Sequence, residues 1–265
     1  MKKTHVNSSK PSQQQLDSLI KLYQDRQYID AEKLSLSITK EFPKHPFAWK
    51  VLGAILKQKG KISESLIVCQ KSVQLDPQDA KAHNNLAIIL LLQSRLEEAE
   101  TSLRQAIKLK PDLAEAHNNL GIIFQKHRKF TEACSAYIQA INFNPDFTDA
   151  YENLGMVIKK VRFNSSNVEL YPLLIRLLSI GNFVRPRDLA YSILSLLKHD
   201  PLIKNLLLEK NFATNLKEAN SIIGSLDKLK LLHHLMRVCP LPDLQFERFF
   251  VTMRKLLLKS LDNIE

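Results

Sequence analysis

Glycine is scarce in this chain, six among 265 residues. A β-rich fold full of tight turns is therefore excluded, because glycine supplies the positive-φ positions of such turns. Cysteine is scarcer still. Cys69, Cys134 and Cys239 form no CxxC pair, and each lies in an apolar, helix-like stretch. That pattern reads as buried free thiols in a reducing compartment. Long apolar runs are missing as well: Leu86–Leu92 is far too short to span a bilayer. The opening MKKTHVNSSKPSQQQ has lysines but no apolar segment behind them, which is not a secretory signal. We expect a soluble cytoplasmic protein with no membrane contact, its residues 1–12 disordered. Catalytic signatures are also missing. The sequence has no GxGxxG, no P-loop, no GxSxG and no paired acidic motif of a sugar-nucleotide or methyl-donor site. No catalytic residue, cofactor or metal ligand is assigned, and the expectation is a non-enzyme.

What the chain does have is positive charge, a net +11 with a pI near 9.5. Residues 1–160 carry 23 basic and 17 acidic residues, and 161–265 carry 15 and 10. The excess is spread over both halves with no polybasic arm, so it reads as a solvated basic surface. Nucleic acid is disfavoured, because no aromatic stacking platforms recur with the charge.

It also has a repeat. Pro43, Pro77, Pro111 and Pro145 stand 34 residues apart, as do Ala31, Ser65, Ala99 and Ala133. Leu52, Leu86, Leu120 and Leu154 share the period, followed in each unit by Gly53, Ala87, Gly121 or Gly155. Ser72, Ala106 and Ala140 keep it, as do Trp49, His83, His117 and Tyr151, and Cys69, Leu103 and Tyr137. Each unit reads as two helices, such as Ala80–Gln93 and Leu96–Leu109, with small residues where their backbones meet. Proline ends the second helix and starts the next turn. One helix pair cannot bury its apolar face alone, so the pairs must stack.

This spacing resembles the tetratricopeptide repeat family. The resemblance implies an all-α fold, a right-handed α-solenoid of helix pairs with a concave groove. Units Phe47–Pro77, Ala80–Pro111 and Ala114–Pro145 match well. Gln15–Pro43 is a degenerate first unit that keeps Tyr28, Ala31 and Pro43, and Thr148–Lys160 supplies one extra first helix. The solenoid thus spans 13–161. Residues 162–265 read as a small helical C-terminal cap or bundle, whose helices include one opened by Asn167 and closed by Gly181 and one bounded by Pro186 and Pro201. Further helices are expected in PLIKNLLLEK, NLKEANSIIGSLD and KLKLLHHLMRVC, and in a final amphipathic segment with Phe246, Phe249, Phe250, Met253, Leu257 and Leu261. This region resembles the helices that follow the repeats in large bacterial tetratricopeptide proteins carrying a glycosyltransferase-like or methyltransferase-like domain. That likeness implies an alternative, the recognition part of a transferase whose catalytic domain is absent from this chain.

Asparagine is a poor helix-interior residue, yet Asn84-Asn85, Asn118-Asn119 and Asn153 recur at one register. In the family's geometry that side of the first helix lines the groove. Asn85, Asn119 and Asn153 then resemble the asparagine ladder of O-linked N-acetylglucosamine transferases, which implies that amides grip the backbone of an extended peptide. Val51 takes the place in the preceding unit. The candidate peptide-binding residues are Asn84, Asn85, Asn118, Asn119 and Asn153, with Lys81, Lys126 and Lys159 favouring an acidic partner. The other reading is that the amides hydrogen-bond neighbouring helices within the stack. Under the groove reading, alanine at Asn85, Asn119 and Asn153 together leaves folding intact. A chaperone-tail clamp is rejected, since Ala54 and Glu115 stand where that clamp needs asparagine and lysine. His83 and His117 take the place of a packing aromatic rather than of metal ligands.

Overall fold

The computed structural model describes residues 10–180, 185–201, 203–204, 230–238, 246–248 and 251. Among these there is no strand. The expected disorder of residues 1–9 lies outside the described residues. So do Gly181, Cys239, most of PLIKNLLLEK, all of NLKEANSIIGSLD, and Phe249, Phe250, Met253, Leu257 and Leu261 of the final segment.

The chain divides into two compact units. The first takes Met1–Arg128 with Ser135–Phe147, and the second takes Lys129–Cys134 with Thr148–Glu265. In the first unit the helices pair as α1 (Gln13–Gln24) with α2 (Tyr28–Glu41), α3 (Pro46–Gln58) with α4 (Ile62–Leu75), and α5 (Ala80–Leu92) with α6 (Leu96–Leu109). Then follow α7 (Ala114–Lys126) and α8 (Phe130–Phe143), of which Phe130–Cys134 falls in the second unit. Each first helix also packs against the first helix of the next unit, α1 on α3, α3 on α5 and α5 on α7. This stacking of helix pairs is an α-solenoid.

The aligned small residues do what their register requires. Ala31, Ser65, Ala99 and Ala133 are all fully buried, and Ala106 and Ala140 likewise. A Cβ built on Gly121 would stand 2.5 Å from the Tyr137 ring, and one on Gly53 would stand 2.5 Å from Cys69 Sγ. The two helices of a unit thus touch where only glycine leaves room. Ser65 substitutes for alanine by donating its hydroxyl to the Gly53 carbonyl across the pair at 2.7 Å.

The prolines build a second repeated device. Each occupies the second position of a four-residue turn, with the N–H of His45, Asp79, Leu113 and Phe147 donating to the carbonyl of Phe42, Asp76, Lys110 and Asn144. The ring that follows then locks the turn. Trp49 Nε1 donates to the Pro43 carbonyl at 2.9 Å, His83 Nε2 to Pro77 at 3.0 Å and His117 Nε2 to Pro111 at 2.8 Å. Since a carbonyl only accepts, both histidines carry their proton on Nε2. No cluster of three metal-ligating side chains occurs among the described residues.

Within each pair the chain turns through a left-handed residue. Arg26, Gly60, Ser94 and Arg128 have φ of 58°, 74°, 60° and 59°, again 34 residues apart. The N–H groups of Gln27, Lys61 and Arg95 reach back to the carbonyls of Leu22, Leu56 and Leu90, closing a Schellman motif.

The second unit holds α9 (Thr148–Ile158), a 3₁₀ turn at Val168–Leu170, α10 (Tyr171–Ile180), α11 (Pro186–Leu197) and α12 (Lys230–Val238). Asn167 makes no side-chain cap, because the chain enters α10 through the 3₁₀ turn. Pro186 starts α11 as expected, and the helix ends before Pro201. Leu174, Leu177, Leu189, Ile193, Leu231 and Leu235 are buried. The Tyr171 hydroxyl donates to the Asp200 carboxylate at 2.7 Å, a buried pair. No helix among the described residues is long and apolar enough to cross a membrane.

Candidate functional site

In the first unit, α3, α5 and α7 lie side by side. Along this layer the 34-residue register places Val51, Asn85 and Asn119 in one row, and Ala54, Ile88 and Ile122 in the next. All six are half-buried. Leu92 and Lys126 extend the face at its far end, both exposed, and Lys81 and Glu115 are exposed at its near end.

The five asparagines separate into different environments. Asn84 and Asn118 are buried, with 7% and 5% of their surface exposed. Asn119 donates from Nδ2 to Asn84 Oδ1 at 2.9 Å, so the row position of one unit is tied to the buried position of the unit before it. Asn85 has no side-chain hydrogen-bond partner among the described residues. Asn153 belongs to the second unit, where it is half-buried on α9 and makes an interaction of its own. Lys159 is exposed just beyond α9, and Lys160 holds its ammonium 5.0 Å from the centre of the Phe130 ring.

Beside Asn85 the face opens into a hollow of about 190 Å³, counted with the solvent at its mouth. Ala54, Lys57, Ile88 and Ile89 wall it, and Gly53 and Cys69 lie behind. Ala54 stands where the next two units have Ile88 and Ile122, so the missing branches leave the space. Burial pushes the Cys69 thiol up to about 11, against smaller opposing effects of the Ser65 hydroxyl and Lys57. Burial pushes Cys134 up to about 12. Both thiols are protonated and unreactive at neutral pH. Lys57 has no ion pair among the described residues. Lys50, by contrast, is bound to Asp79, the residue that caps α5.

The Asn84–Asn119 bond was hidden from a strict 34-residue alignment because its partners are 35 apart. The hollow was legible as the Ala54, Ile88, Ile122 register, and Lys57 beside it lies one turn further along α3.

Comparison with known proteins bears on the fold. Family models described as tetratricopeptide repeat match residues 68–101 and 114–147, and one described as TPR repeat matches 89–127. Together these matches cover residues 68–147. No curated protein matches the sequence. Among solved structures, PilF of Pseudomonas aeruginosa aligns over 90% of this chain and 96% of its own, with 16% identity and a TM-score of 0.55. A MamA protein aligns over 55% and 79%, with 23% identity and a TM-score of 0.48. The first TPR of Spaghetti, solved bound to an HSP90 peptide, aligns over 43% and 91%, with 20% identity and a TM-score of 0.42. At these identities the likeness is one of fold.

Proposed function

We propose that this chain is a protein-interaction scaffold whose α3–α5–α7 face receives an extended segment of a partner. The observation that carries this is Asn85, half-buried in the row between Val51 and Asn119, its donor and acceptor both unused among the described residues. An amide so placed matches the N–H and C=O of an extended backbone whatever the side chains. Lys57, Lys81 and Lys126 on the same face favour an acidic segment. Asn153 and Lys159, in the second unit, are candidate peptide contacts by sequence register alone.

The test is selection of a displayed random-peptide library on the wild type and on Asn85→Ala. Peptides enriched by the wild type and weakened about tenfold by Asn85→Ala, the cost of about one to two hydrogen bonds, support the groove. A folded wild type that enriches no peptide counts against it. The transferase alternative shares this face, and a catalytic chain bound stoichiometrically to the second unit would favour it.

A further inference from the structure

We infer that the hollow walled by Ala54 and Ile88 is a selectivity subsite, one that admits a small side chain of an extended peptide and draws an acidic residue of that peptide to Lys57. The inference rests on the peptide-groove reading and names the ligand class within it.

Four observations lead there. The face is filled by isoleucine in two successive units, at Ile88 and Ile122, and left open only at Ala54 in this row. The hollow is shallow: Cys69 behind it is 2% exposed, and its sulfur already lies against Gly53. A side chain of alanine, serine or valine size fits such a space, whereas a ring would need depth that Gly53 and Cys69 occupy. The walls at Ile88 and Ile89 are apolar, so a methyl group gains by entering. At the rim stand Asn85, an amide with no hydrogen-bond partner among the described residues, and Lys57, a cation with no ion pair among them. The amide holds the peptide backbone while the small side chain points down. In an extended chain alternate side chains share a face, which brings the side chain two residues away toward the same wall. A carboxylate there meets Lys57.

The experiment selects random short displayed peptides on the full chain, as wild type, Ala54→Ile and Lys57→Glu, each first checked for native helicity. Isoleucine at this register already exists in the two following units, so Ala54→Ile fills the hollow with a side chain the fold accepts. The expected result is a wild-type consensus with one position restricted to alanine, serine or valine and an aspartate or glutamate two residues away. A synthetic consensus peptide with phenylalanine at the restricted position should bind about tenfold more weakly. Ala54→Ile should still enrich peptides but lose the restriction, and Lys57→Glu should exchange the acidic preference for a basic one. If peptides are enriched without a small-residue position, or if Ala54→Ile keeps it, the subsite is overturned while the groove stands. An acidic preference that survives Lys57→Glu overturns the role of Lys57. A folded wild type that enriches nothing overturns the subsite and the groove together.

Discussion

Asn119 and Asn84 are joined by an amide–amide hydrogen bond of 2.9 Å between the first helices of two successive repeats. Asn84 is buried, so losing its partner leaves a desolvated carbonyl oxygen. Asn119→Ala should therefore destabilise the chain by about 1–2 kcal/mol despite the better helix propensity of alanine. Adding Asn84→Ala should cost less than the sum of the two single changes, with a coupling of about 1 kcal/mol in a urea-denaturation cycle. Asn85→Ala, which breaks no such bond, should be neutral within about 0.5 kcal/mol. The expectation that alanine at Asn85, Asn119 and Asn153 together leaves folding intact therefore does not suit Asn119. Asn85 is the substitution that separates binding from folding. Strict additivity of Asn84→Ala and Asn119→Ala would remove the tie.

The left-handed turn residues, just past the ends of the first helices, offer a stability prediction. Only Gly60 among the four is glycine, while Arg26, Ser94 and Arg128 hold φ near 60°. A side chain there costs about 1–2 kcal/mol, partly offset by the greater unfolded-state freedom of glycine. Arg26→Gly, Ser94→Gly and Arg128→Gly should each stabilise by about 0.5–1 kcal/mol, and Gly60→Ala should destabilise by about 1 kcal/mol. Chemical denaturation of the four variants checks the sign at every turn. A loss of stability in all three glycine variants would contradict the turn geometry.

The repeat was legible because packing constrains it at several registers at once. Ala99 and Ala106 lie seven residues apart on one helix face, and both are fully buried. The boundaries expected for the third unit, Ala80–Gln93 and Leu96–Leu109, differ from α5 and α6 by a single residue. The role of the position-matched Trp49, His83 and His117 was legible only as packing, since the bond to a proline carbonyl needs the turn geometry. The amides were legible as a pattern but not as separate environments. One residue's rotation on the helix decides whether Asn84 is buried or Asn85 faces outward, and a period of 34 does not report it. Beyond α9 the second unit follows no period. There Asn167 carried a cap residue's identity without the cap's bond, because a 3₁₀ turn took its place.

Gly53 and Cys69 test how tightly a pair closes. Gly53→Ala puts a methyl group 2.5 Å from the Cys69 sulfur, closer than such contacts allow. The gain in helix propensity, about 1 kcal/mol, is smaller than the overpacking cost of about 1–3 kcal/mol. Net destabilisation of up to about 2 kcal/mol is expected. Cys69→Ala removes the obstructing sulfur, so the double variant should recover most of the loss caused by Gly53→Ala. At Gly121 the obstacle is the fully buried Tyr137 ring. A ring moves less easily than a thiol, and Gly121→Ala should cost more than Gly53→Ala. Equal stability of Gly121→Ala and wild type would mean that the helices have room to separate.

Acid should weaken the stack through Asp79. This carboxylate accepts the Lys81 and Ala82 N–H groups at 2.9 and 3.1 Å and pairs with Lys50 of the preceding first helix. Burial acts to raise its pKa, but the Lys50 ammonium and the two N–H groups outweigh burial and hold the carboxyl below its ordinary value. Glu32 is shifted the same way, first by its hydrogen bond from Lys59 and then, against burial, by Lys61. A carboxyl whose folded pKa is depressed stabilises the fold above its unfolded pKa. That contribution is lost as pH falls through the folded value, so stability should decline below about pH 4. Asp79→Asn keeps a cap of similar quality but has no charge to lose. Its urea midpoint should sit below wild type at neutral pH, and the gap should narrow as pH falls through the lowered Asp79 pKa, where that carboxyl itself becomes neutral. Lys50→Met should raise the Asp79 pKa toward its ordinary value and so shrink the acid-dependent loss, because the folded and unfolded carboxyls then titrate closer together. A gap between wild type and Asp79→Asn that stays constant across the whole range in which wild type loses stability to acid would show that the Lys50 pair does not link the two repeats through charge.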